Sequence, residues 1–177
     1  MRYLAILACL ALFMSALPAR AGQTMTVEEA YKAIPHARTV FDSTQGQMGA
    51  DEKAFLDKFF QLVDLAVVER VAAMQAISSG RAVTFNYAGI ESSLMALDVP
   101  DKLKTAHALV MQAVAEHRQY LEKWKASGGA FNISDPLISS SSAKLVQAYS
   151  ELMAAYPAEG AHNKQAFFDH LCALDFK

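Results

Sequence analysis

Two stretches of this chain, residues 51–79 and 101–126, repeat apolar side chains every three or four positions over more than twenty residues. That spacing is the period of one face of an α-helix, and it is sustained too long for any strand. In the first stretch Phe55, Phe59, Leu62, Ala66, Ala73 and Ile77 form one stripe. Leu56, Val63, Val67 and Met74 widen it, and Asp57, Gln61 and Asp64 mark the opposite face as wet. Asp51 and Glu52 complement the dipole at the amino end, and Gly80 supplies the carboxyl stop. In the second stretch Leu103, His107, Val110, Val114, His117, Leu121 and Trp124 alternate by fours and threes, the rhythm of a core seam. Gly128-Gly129 ends it.

Two further helices follow from the punctuation. Asp135-Pro136 places a capping residue before a proline at the first helical position, opening a helix with the seam Ile138, Ser142, Leu145, Tyr149, Leu152 and Tyr156. The last helix runs from Asn163, read as its cap, to Leu174 and buries Phe167, Leu171 and Leu174. Upstream, Thr26 and Glu29 have the spacing of a capping box, predicting a short helix from Val27 to about Ala33 that Pro35 stops. Residues 36–50 read as extended chain and loop. Residues 81–101 read as a connector, with a little strand character over Arg81–Asn86 and a short helix over Ile90–Leu97. The fold class expected is all-α: a four-helix bundle over residues 51–177, with the short helix and extended segment of residues 22–50 packed on its outside.

Residues 1–21 read as a cleaved signal peptide. Met1-Arg2 precedes an apolar run from Tyr3 to Leu17, Pro18 breaks it, and Ala19-Arg20-Ala21 offers a small-x-small cleavage site before Gly22. The apolar run is short of the roughly 20 residues of a membrane span. The expectation is a periplasmic or secreted protein with no transmembrane span. Cleavage would remove Arg2 and Arg20 and move the formal charge from −2 to −4. A mildly acidic chain with scattered basic residues carries no footprint for nucleic acid. Cys172 would be the only cysteine left, which excludes an internal disulfide and covalent c-type haem attachment. Its bland reading is a small buried hydrophobe.

Three groups hold residues capable of chemistry. His107 and His117 fall on the seam of the second long helix, where a buried imidazole needs a polar partner. Ten residues, about 15 Å of helix, separate them, so they do not share an ion. Glu69 or Arg70 of the first long helix is the partner expected for His117. The second group is the segment Ile34–Asp42. If it is extended, His36, Arg38, Val40 and Asp42 share one face, suited to an anion or to locking the segment onto the bundle by ion pairs. The apolar anchors of such docking would be Ile34, Val40 or Phe41. The third is Asp169-His170-Leu171-Cys172, whose His and Cys diverge on a helix and do not chelate. No nucleophile elbow, phosphate loop, HExxH or paired ExxH motif is present. The reading is therefore a non-enzymatic accessory or binding protein for a protein or small-molecule partner, with no cofactor. The competing reading is a bundle that holds a metal or non-covalent haem on His107 or His117, with Met74, Met111 or Met153 available as a second ligand.

Overall fold

The computed structural model describes residues 25–82 and 84–176. The signal-peptide reading of residues 1–21 lies outside these. Six α-helices carry the described chain: α1 (Val27–Lys32), α2 (Ala50–Ser78), α3 (Tyr87–Met95), α4 (Lys104–Ser127), α5 (Pro136–Ala155) and α6 (Ala161–Leu174). A 3₁₀ turn over Asp101–Leu103 leads into α4. No strand occurs among the described residues, so residues 81, 82 and 84–86 do not realise the strand character of their sequence. The fold is all-α, and no described helix is long and apolar enough to cross a membrane.

The helix signals act as their chemistry dictates. Thr26 Oγ1 accepts from Glu29 N (3.2 Å) while the Glu29 carboxylate takes Thr26 N–H (2.8 Å), closing the box at the head of α1. Glu52 reaches back to Gly49 N–H (3.0 Å) at the head of α2. Asp135 caps α5 through Leu137 N–H (3.0 Å), with Pro136 at the first position. Gly128 ends α4 in the left-handed region (φ 59°), where a side chain would be costly.

The core lies where α4 packs along α5 and where α2 meets α4 and α6, with α3 across α2 and α4. Every residue of the α4 seam is buried, both histidines included. On α5 the buried positions are Ile138, Ser141, Leu145, Ala148 and Leu152. Ser142 and Tyr149, expected in the seam, are only half-buried because the small residues Ser141 and Ala148 take the closest approach. Asn163 is not the cap of α6. Gly160 holds that place, and the buried Asn163 amide instead grips the backbone of Asp42, accepting its N–H (3.0 Å) and donating to its carbonyl (3.1 Å). The α1–α2 connector thus lies along α6, anchored by Phe41 between Phe60 (5.7 Å) and Phe167 (6.0 Å). Val40, read as an anchor, is 54% exposed. The alternation that turns His36 and Arg38 inward slips by one residue at Phe41.

Candidate functional site

The largest polar assembly sits where α1, the connector, α2 and α6 meet. Its hub is Asp64, which the helical pattern assigned to the wet face of α2 but which is buried. Water is excluded there because α1 and the connector cover that face. Asp64 Oδ1 accepts from Tyr31 Oη–H (2.8 Å) on α1 and pairs with His170 Nδ1 (2.7 Å) on α6. Oδ2 accepts two bonds from Arg38, from Nη2 (2.6 Å) and Nε (3.2 Å). Arg38 Nη1 reaches on to Glu28 (3.2 Å). Alongside, Asp169 takes the Thr39 N–H (3.0 Å) and the Gln165 amide (2.7 Å).

Burial alone would raise the Asp64 pKa, but the hydrogen bonds from His170, Arg38 and Tyr31 outweigh it and hold the carboxyl below its ordinary range. Burial, reinforced by the Asp64 charge, pushes the Tyr31 phenol far above its ordinary value, so Tyr31 is a fixed donor. An aspartate on His Nδ1 is also the base half of an acyl-transfer triad. In that arrangement Nε2 must meet a nucleophile. Here His170 Nε2 is buried with no hydrogen-bond partner among the described residues, and the ring stacks on Phe60 at 4.6 Å. As built, the assembly fastens α1 and the connector to α2 and α6.

The predicted segment residues do not gather on one face. Arg38 goes to Asp64 and Glu28. His36 Nδ1 lies 3.6 Å from Cys172 Sγ on α6. The Asp42 carboxylate turns back on its own loop, accepting from Thr44 N–H (2.9 Å), Thr44 Oγ1 (2.6 Å) and the Gln45 amide (2.6 Å). Cys172 is half-buried rather than fully buried. Burial, together with the charges of Asp175 and Asp169, pushes its thiol pKa up, so the thiolate is disfavoured.

Of the seam histidines, His107 Nε2 bonds the Leu94 carbonyl (2.9 Å), where α3 ends, and burial lowers its pKa. His117 is completely buried, and neither ring nitrogen has a hydrogen-bond partner among the described residues. Glu69, one of its expected partners, is elsewhere, with its carboxylate capping α3 through Asn86 N–H (2.8 Å). Burial, then the Arg70 charge, pushes the His117 pKa down to about 3. Among the described residues no three His, Cys, Asp or Glu side chains stand close enough to hold a metal together.

Above the Asp64 hub, Glu28, Tyr31, Lys32, Ile34, Pro35, His36 and Arg38 line an open groove of about 670 Å³. A smaller, mostly apolar groove of about 160 Å³, along α5 and α6, is lined by Leu145, Val146, Tyr149, Phe168, Leu171 and Cys172, with Asp175 beside them. Sequence reasoning missed Tyr31 and Asp64, and singled out His170 without its partner. The available signal was a lone acid inside the apolar run Val63-Asp64-Leu65-Ala66-Val67-Val68. No protein-family model, curated protein or solved structure matches the chain.

Proposed function

We infer that the chain is an exported, non-catalytic accessory or binding protein, in which α2, α4, α5 and α6 act as a four-helix bundle that displays the groove over α1 and residues 34–38. The observation that carries this reading is the Asp64 hub. It spends a buried carboxylate and three donors on holding one extended segment in a fixed path, and so presents Glu28, Lys32, His36 and Arg38 along one open groove. Mixed charge around exposed Pro35 and Ala37 suits a polar partner surface better than a buried reaction. A preset backbone also lowers the ordering cost of association.

The test is cross-linking in the producing cell, with a photoreactive residue at exposed Lys32 or Ala37 and a control at exposed Gln147 on α5. Adducts at 32 and 37 but not at 147, on protein whose intact mass begins at Gly22, are expected. Equal labelling at all three sites, or none at the groove, overturns the binding role. A mass retaining residues 1–21 overturns the export reading.

A further inference from the structure

Outside the Asp64 hub, the connector meets α6 through a nitrogen–sulfur pair. Cys172 Sγ stands 3.6 Å from His36 Nδ1. As a hydrogen bond this contact is weak, because a thiol is a poor donor. As a pair of metal ligands its spacing is right. Zinc binds thiolate at about 2.3 Å and imidazole at about 2.0–2.1 Å in a tetrahedral arrangement, which sets the two donor atoms about 3.5–3.6 Å apart. The two atoms therefore already stand at the separation that one shared ion imposes. Both residues are half-buried, and Cys172 lines the smaller groove while His36 lines the larger.

The surroundings favour a cation. Asp169 precedes Cys172 by three residues and Asp175 follows it by three. Burial first, and then these two charges, keep the proton on the thiol. The same charges attract a metal ion that takes the place of that proton. They act through space, since Asp169 is engaged by Thr39 N–H and the Gln165 amide, and Asp175 accepts from Ser142 Oγ (2.7 Å). The two ligands also hang from fixed backbone. His36 N–H donates to the Ile34 carbonyl (2.8 Å), and Arg38, two residues on, is clamped by Asp64. Cys172 is carried by α6. A pair held in this way loses little freedom on closing round an ion. Thiolate with imidazole selects zinc over the hard cations magnesium and calcium.

We propose that His36 and Cys172 form a mononuclear zinc site, with water completing the coordination. The ion bonds to the sulfur in place of the thiol proton, which leaves to solvent, and the Nδ1 lone pair supplies the second protein ligand. Two protein ligands make a site that loads and unloads, unlike the closed four-ligand sites that hold zinc for structure. The proposal does not depend on the groove having a partner.

Zinc alone is the probe, titrated by calorimetry into the tag-free full chain with its thiol reduced. One ion per chain is expected. Cobalt in its place should give a sulfur-to-metal charge-transfer band that Cys172→Ser abolishes. Loss of a partner behind a ligand already costs about 10–100-fold in metal affinity, so His36→Ala and Cys172→Ser should each weaken zinc at least about tenfold. His162→Gln, at an exposed imidazole whose Nε2 meets the Val40 carbonyl, should leave binding unchanged. The proposal is overturned if the native chain takes no zinc, or if His36→Ala binds it as tightly, which would mean that sulfur alone holds it. Half an ion per chain places the metal between two copies and also overturns it, as does binding lost on His162→Gln. Should either variant fail to fold, the native chain decides: saturating zinc must abolish alkylation of Cys172 by iodoacetamide, and an unchanged rate overturns the site.

Discussion

Replacing Asp64 by Ala removes the acceptor of four hydrogen bonds at once. Two of the donors, Tyr31 and His170, are buried and would be stranded, at about 1–3 kcal/mol each. Tyr31 Oη lies 3.4 Å from His170 Nδ1, so the two can pair weakly with each other, the phenol accepting from Nδ1–H or donating to a bare Nδ1. Arg38 keeps 26% of its side chain exposed and recovers water, so its loss counts for less. The expected destabilisation is about 3–5 kcal/mol, the range for removing one partner of a buried pair. Urea unfolding at pH 7 measures it, with half-buried Asp57 of the same helix as control; Asp57→Ala stays within about 0.5 kcal/mol. Amide exchange localises the loss, because the Thr39 N–H held by Asp169 opens before the amides of α4 and α5. The pH dependence has a fixed sign. The folded-state pKa of Asp64 is depressed, so its contribution is complete above the ordinary aspartate value and disappears as the pH falls through the lowered one. The gap between the native chain and Asp64→Ala therefore narrows below about pH 4. A cost no greater than that of Asp57→Ala would refute the hub.

Two more outcomes follow from the same packing. Phe41→Ala costs about 3–5 kcal/mol in urea unfolding, through the cavity left between Phe60 and Phe167, and costs more than Arg38→Ala; the reverse order would mean that charge and not burial holds the connector. His117→Leu stabilises the chain by about 1–2 kcal/mol at pH 7, by removing a buried imidazole with no partner. Because the unfolded histidine takes a proton near pH 6.5 and the folded one only at about 3, native stability falls as the pH drops between these values. The advantage of His117→Leu therefore grows by up to about 1.4 kcal/mol per pH unit below pH 6.5, and a gain that does not depend on pH would show that His117 reaches solvent.

The long helices were legible because their burial repeats locally. Each turn of α4 states its inward face again, so even His107 and His117 could be placed in the core from spacing alone. The site was not legible for the opposite reason. Asp64 looks solvated in the pattern of α2, and only the docking of residues 31–41, from outside that pattern, turns its face inward. His170 was dismissed as a chelator beside Cys172, yet its partner stands 106 residues away, where no local spacing points. Asn163 reads as a cap by composition, but the Asp42 backbone offered the amide two bonds at once. Glu69 was assigned inward to His117, while the start of α3 presented an unsatisfied N–H nearer to hand.

The first and last described helices share one lock, and that fixes an order of events. Asp64 waits for its imidazole 106 positions downstream, and Thr39 for a partner 130 downstream. A ribosome, which releases the chain amino end first, cannot supply α6 until the helices before it have been made. Until then the Asp64 carboxylate has no imidazole beside it, and Phe41 lacks the Phe167 side of its slot. Closing so long a loop is entropically slow, so residues 25–48 stay open until after α6 has been made. The described fold therefore locks only after its last described helix has been made.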